Sequence, residues 1–325
     1  VATTPRVLVV GGAVLDQKLT TDGPPVLGTS NPGTAVAGVG GVGRNIAENL
    51  ARLGTSTVLV APVGDDLPGE TVVGRTAAAG VDCRHVVVGP SPTGTYTAVL
   101  GDDGDLLVAV ADMRATDRLT PADLGAFPDL VDGAAFLVVD ANPSPDVVAW
   151  LLQEAALAGV PVVLEPVSVA KAGRLAAVVG TAPLHTVTPN ADELGALLGG
   201  ARPRSTDELV AAAAVLHDRG VGTVWVRRGA AGSLLSTRPV GGPQSVLAVA
   251  APATSVVDVT GAGDAMTAGY VHALLTGRDV RDAARVGQVC AALTCASSDT
   301  VRTDLDADLV SAHLTPTDPS VEELR

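Results

Sequence analysis

The chain has 325 residues, 47% hydrophobic and 17% charged, enough to bury a large core and unlike a disordered or collagen-like polymer. A formal net charge of −14 and a pI near 4.6 argue against nucleic acid or anionic membrane as partners, and aromatics at 2% leave little to stack on single-stranded bases. Cys83, Cys290 and Cys295 have no C-x-x-C spacing, which speaks against a disulfide framework or zinc site; a cytoplasmic protein without leader or membrane span is expected.

VLVV, residues 7–10, reads as a strand buried on both faces. Residues 15–39 are polar, contain Gly and Pro, and are too long for a simple crossover, so they are expected to belong to a lid. The stretch GVGGVGRNIAENLARLG then places Gly38, Gly40 and Gly43 in the G-x-G-x-x-G spacing of a dinucleotide-binding turn. Its context is wrong for that role. Thr34 to Val39 are too small and polar for a central parallel strand, and Asp65 lies in a loop after Pro62 and Gly64 instead of ending a strand. What the stretch does predict is a helix with Ile46, Ala47, Leu50, Ala51 and Leu53 on one face, stopped by Gly54.

STVLVAPV (56–63) is the next predicted strand, and GTYTAVLGDDGDLLVAVADM (94–113) reads as a hairpin turning at Asp102, Asp103 and Gly104, a second lid segment. AAFLVVD (134–140), VPVVLEPV (160–167) and GTVWVRR (222–228) are further strands. Between them PDVVAWLLQEAALAG, ADELGALLGG and STDELVAAAAVLHDRG read as helices with glycine stops. This alternation implies a three-layer α/β/α domain over residues 1–314, a mostly parallel sheet between helices with a small β lid, followed by a polar tail at 315–325.

The strongest chemical signal is VVDVTGAGDAMTAGYVHALLTG, Val256 to Gly277. Gly261, Ala262 and Gly263 leave backbone amides unshielded at a helix start, a site suited to a phosphoryl group. Asp264 follows in the first turn, where the helix end favours its ionised form; a carboxylate beside a phosphate site has a purpose if it takes a proton from an attacking hydroxyl. A plain N-cap aspartate with glycines for packing is the alternative on local grounds. No glycine-rich turn ends in Gly-Lys-Ser/Thr, so a Walker A loop is absent.

The pairing of GGVGRN with DVTGAGDAMTAG, with TPNADELG between them, resembles the ribokinase-like (PfkB) carbohydrate kinases over about residues 6–312. Within that family SNPG (30–33), VAVADM (108–113), EPVSVAK (165–171) and HTVTPN (185–190) are most similar to pseudouridine kinases. The resemblance implies transfer of the ATP γ-phosphoryl group to a primary hydroxyl, with Asp264 as a weakly basic proton acceptor and the Gly261–Gly263 amides as anion hole. Asn190 and Glu193 would organise Mg²⁺, partly through water, although the pair also reads as a helix-capping box. Arg227, Gly229 and Gly232 match the segment along ATP, though arginine at 227 replaces the small hydroxyl residues usual there and reads equally as a phosphate partner or a surface charge. Asp258 and Thr260 match positions that hold a monovalent cation, K⁺, in many relatives.

For the acceptor, Asp16 matches the aspartate that holds sugar hydroxyls, with Asn45 and the backbone of Gly40 and Gly41 completing the clamp. Asn31, Thr95 and Asp112, on the lid segments, are candidates to read a base, and Lys171, one of two lysines with Lys18, is a candidate for phosphate or lid contact. A lid paired across a homodimer is expected, since the hairpin otherwise exposes an edge. Another nucleoside, ribose or a hexose derivative as acceptor stays open, as does a non-catalytic nucleoside- or sugar-binding protein.

Overall fold

The computed structural model describes residues 5–314 and the backbone of 321–323. In chain order its strands are β1 (Arg6–Val10), β2 (Val14–Thr21), β3 (Gly33–Gly40), β4 (Ser56–Val60), β5 (Pro62–Gly64), β6 (Val87–Gly89), β7 (Gly94–Leu100), β8 (Leu106–Asp112), β9 (Ala134–Asp140), β10 (Val162–Glu165), β11 (Leu184–Val187), β12 (Val221–Arg227), β13 (Ser233–Thr237), β14 (Ser245–Val249) and β15 (Val321–Glu323). Nine of them form one sheet in the order β15-β14-β13-β12-β11-β10-β9-β1-β4. Pairing is parallel from β4 to β12 and antiparallel beyond.

Continuous apolar runs make this sheet the middle of three layers. In β1, Leu8 and Val10 enter one hydrophobic core while Val7 and Val9 enter the other. In β9, Leu137 and Val139 divide from Val138, and in β10, Val162 and Leu164 divide from Val163. Each strand therefore buries both faces, and the helices supply the covering layers. No helix among the described residues is long and apolar enough to cross a membrane.

The second sheet is the lid, in the order β3-β2-β7-β8, with β2 and β7 parallel and the other two pairs antiparallel. The expected hairpin at 94–113 is β7 and β8. Residues 15–39 supply β2 and β3, whose alternation of small and polar residues hides two strands inside a stretch that reads as irregular. STVLVAPV does not run as one strand: it breaks at Ala61, and β5 leaves the main sheet to pair with β6. The helix Leu67–Ala78 and the antiparallel pair β13–β14 carry weak local signals and were not anticipated; the helix begins on Asp66, whose side chain accepts from the Gly69 amide.

Candidate active site

The carboxyl ends of β1, β9, β10 and β12 converge on the first turns of the helices Val42–Arg52, Ala191–Leu197 and Ala262–Leu275. At the last of these, Gly261 is the N-cap in the left-handed region, φ 79°, and a Cβ there would collide with the Thr300 carbonyl. Asp264, buried in the first turn, accepts a 2.8 Å hydrogen bond from Asn45 Nδ2. The two glycine-rich stretches, 219 positions apart, thus meet through one amide–carboxylate bond. The remaining oxygen of Asn45, Oδ1, is buried without a partner among the described residues.

The expected acidification of Asp264 is reversed. Burial pushes its carboxyl up to about 8, and the nearby Glu165 and Asp140 charges add to the rise, while Asn45 and Arg227 oppose it. Withdrawal from water outweighs the helix end.

The opening glycines serve geometry. Gly41, φ 97°, caps the helix Val42–Arg52 with its Cα against the Gly12 carbonyl, where a side chain would collide. Gly38 and Gly40 lie on the antiparallel lid strand β3, which removes the dinucleotide reading. A carboxylate that no motif announced holds both turns: Asp140, fully buried at the end of β9, accepts from Gly12 N at 2.9 Å, Gly43 N at 2.7 Å and both Asn142 nitrogens at 2.8 and 2.7 Å. Burial raises its pKa against those donors. Lys171 donates to Asn142 Oδ1, so it closes this network as a half-buried cation, its own pKa lowered by burial.

Asp16 stands on β2 at the edge of the cleft, so close to Gly40 that a side chain there would strike it. Burial raises its pKa to about 6, against the attraction of Arg44 and Lys18. Arg44, buried and also unanticipated, donates to the Val39 carbonyl at 2.7 Å and pairs with Glu48. If the Asp16 carboxylate holds acceptor hydroxyls, the acceptor KM is expected to fall as pH rises through about 6. Initial rates at varied pH check this, and Asp16→Asn should flatten the dependence.

The lid register separates the expected base readers from Asp16. Leu15, Thr95 and Asp112 are partners across three strands, whereas Asp16 pairs with Tyr96 and Gly38. Partners in register share a sheet face, so Thr95 and Asp112 lie on the face opposite Asp16. Asp112 is also engaged by Arg114, and Asn31 spends its amide on Val26 and Thr29 within its own loop. Tyr96 takes the place beside Asp16. Lys18, on that same face, reaches Asp258 Oδ2 at 3.2 Å, while Asp258 Oδ1 accepts from the amide and hydroxyl of Thr260. Both carboxylate oxygens of Asp258, at a position expected to belong to a monovalent-cation site, are thereby engaged, one by an ammonium group.

At the other end, Arg227 is no surface charge: its Nη2 donates to Glu165 at 2.7 Å and Glu193 at 3.0 Å. Asn190 and Glu193 form a reciprocal capping box, Asn190 N to Glu193 Oε2 at 2.8 Å and Glu193 N to Asn190 Oδ1 at 2.9 Å. Glu193 Oε1 has no hydrogen bond among the described residues, and no group of three His, Cys, Asp or Glu side chains there could hold a metal directly. One open carboxylate oxygen fits an ion that keeps most of its water. Gly229, Gly232, Pro252, Met266 and Gln288 line a cleft of about 560 Å³ that also includes Arg227, Ala262 and Gly263. Its mainly apolar walls beside the helix start fit a nucleotide with its phosphates toward the helix end, although the Ala262 amide, expected to be unshielded, donates to the Val259 carbonyl at 3.3 Å.

A model of the pfkB family carbohydrate kinases matches residues 4–307. The chain is 35% identical over 280 residues to the uncharacterized sugar kinase YeiI of Escherichia coli (strain K12), covering 86% of this chain and 75% of that one. It is 32% identical over 284 residues to a pseudouridine kinase of the same organism, covering 87% and 88%. The structure of Arabidopsis thaliana ribokinase complexed with ribose and ATP superposes with a TM-score of 0.81 at 24% identity, covering 96% of this chain and 99% of that one.

Proposed function

The chain belongs to the pfkB family of carbohydrate kinases and is an ATP-using phosphotransferase acting on a hydroxyl group, and from that premise we propose that it phosphorylates the 5′-hydroxyl of pseudouridine. In this reading Asp16 and the unpartnered Asn45 Oδ1 accept sugar hydroxyl protons. Asp264 takes the proton of the attacking hydroxyl as its oxygen bonds to phosphorus and the phosphorus–oxygen bond to ADP breaks. The Gly261–Gly263 amides face the charge on the moving group. Asn190 and Glu193 would hold magnesium, partly through water, and the ion would supply neutralisation of phosphate charge.

The observation that carries the nucleoside reading is the Asp16–Tyr96 pair. The chain has six aromatic residues, and Tyr96, 38% exposed and on the lid sheet, is the one most open to solvent. A carboxylate accepting the 2′ and 3′ hydroxyl protons places C1′ next to it, so a planar ring at C1′ extends toward the neighbouring strand, where Tyr96 stands. Free ribose has nothing to stack there. The similarity to a pseudouridine kinase over most of both chains favours that base.

ATP turnover across pseudouridine, uridine, adenosine and ribose tests the reading. Activity on ribose or adenosine with none on pseudouridine overturns it. Tyr96→Ala is expected to raise the pseudouridine KM about tenfold, the value of one lost stacking contact, with kcat and any residual ribose activity unchanged.

The exposed lid strands support a homodimer: every residue of β8 from Leu106 to Ala111 is exposed, apolar side chains included. Pairing with a second lid would cover that edge. Sedimentation as a monomer at high concentration would count against it.

A further inference from the structure

Arg227 divides its guanidinium between two directions. Nη2 is fixed by Glu165 and Glu193 at 2.7 and 3.0 Å. Nη1 has no hydrogen bond among the described residues and lies directly over Gly263, where a Cβ would collide with it. Both residues line the cleft that the nucleotide reading assigns to ATP. The Arg227 backbone is pinned as well, its amide donating to the Pro189 carbonyl at 2.8 Å beside Asn190.

Glu165 is held harder than an ordinary ion-pair partner. Its Oε2 accepts from Thr188 Oγ1 at 2.5 Å and from Thr267 Oγ1, on the Asp264 helix, at 3.3 Å. Oε1 takes Val167 N at 3.2 Å as well as Arg227. The three-residue turn that allows this, Ser168 N to Pro166 O at 2.8 Å, puts Val167 at φ 68°. A β-branched residue in the left-handed region is strained, and such strain persists where surrounding contacts over-determine the geometry. Two carboxylates on one nitrogen thus orient the other nitrogen toward the anion hole.

We propose that Arg227 is a fixed cationic donor to the phosphoryl group under transfer, and that Glu165 is the residue that positions it. This rests on the Gly261–Asp264 turn being the phosphoryl site. As the acceptor oxygen–phosphorus bond forms, the phosphorus–oxygen bond to ADP breaks and Asp264 takes the hydroxyl proton; Nη1 and the Gly261–Gly263 amides share the equatorial charge. A small hydroxyl residue at 227 would reach neither the carboxylates nor the anion hole, so this chain relies on an internal arginine.

Arg227→Lys is the decisive variant, because an ammonium can serve the two carboxylates but offers no second nitrogen over Gly263. Its melting temperature should stay within about 3 °C of the native value. Its kcat should fall about 100-fold, the scale of one lost donor in a preorganised anion site, at an unchanged acceptor KM. Calorimetric affinity for β,γ-imido-ATP should weaken about tenfold while AMP binds as before. In Arg227→Ala, added guanidinium should restore turnover, which also decides the matter if the lysine variant unfolds. Glu165→Gln should lower kcat about tenfold without altering AMP affinity. It should also move the acid limb of the pH profile downward, since the Glu165 charge helps raise the Asp264 pKa.

A folded Arg227→Lys with native kcat, equal loss of AMP and imido-ATP binding, or no guanidinium rescue overturns the role of Arg227. An unchanged kcat in Glu165→Gln overturns the positioning role alone. A native chain that transfers phosphoryl to no acceptor would instead refute the phosphoryl-site reading on which the proposal stands.

Discussion

Asp264→Asn is expected to lower turnover about 1,000-fold, the scale of losing a positioned base, while leaving nucleoside binding nearly intact and raising the stability of the protein at pH 8. The two effects share a cause. The folded carboxyl titrates at about 8 against an ordinary 3.8, so between those values the native state binds a proton that the unfolded chain has released. Stability therefore falls as pH climbs from about 4 to about 8, by something on the order of 2–5 kcal/mol, and asparagine removes that slope. Its carbonyl can still accept from Asn45 Nδ2. Denaturant unfolding of both proteins at pH 5 and pH 8 should show a gap that widens with pH, and parallel titration curves would refute the raised pKa. In the active protein, kcat/KM should rise with pH through about 8, where the base becomes ionised. A mutant with near-native turnover would sink the base assignment itself.

Asp140→Ala should be the most damaging change to the fold among the site residues. It strands four buried donors at once: the amides of Gly12, Gly43 and Asn142 and the Asn142 side chain. Leaving donors unpaired in the interior, with Lys171 still bound into the network, costs about 3–5 kcal/mol. Asparagine is no repair, because its NH₂ would face a ring of N–H groups. The check is the chemical-denaturation midpoint, and a loss below about 1 kcal/mol would mean that the two glycine turns hold themselves in place.

These two residues mark what a single sequence discloses. Asp264 is legible because its chemistry is local: three small residues, a carboxylate and a helix start lie side by side. The alternating fold is legible for the same reason, as each strand carries its burial on both faces in its own apolar run. Asp140 and Glu165 carry no spacing signal, since their distant partners come from the turn after β1, the helix at Val42, Thr188, the helix at Ala262 and β12. One clue was available: AAFLVVD and VVLE each end a buried parallel strand in an acid, at the edge where ligands bind in such sheets. The lid segments were legible as well, but the face on which Thr95 and Asp112 stand was not, for another reason. Whether Thr95 or Tyr96 shares a face with Asp16 depends on the β2–β7 register, a long-range pairing in which a shift of one residue exchanges the faces. Nor could composition reveal that burial outweighs the helix end at Asp264, because the depth of a residue belongs to the assembled layers.

The span of the network has a consequence for how the chain comes to life. Gly12 and Gly43 are held by an acceptor 128 and 97 positions away, and Asn45 reaches its partner across 219. An N-terminal fragment emerging from a ribosome lacks the partner of Asn45 until residue 264 has been made. Turnover regained on refolding should therefore lag behind the recovery of helical signal, marking the last long-range docking and not the first collapse.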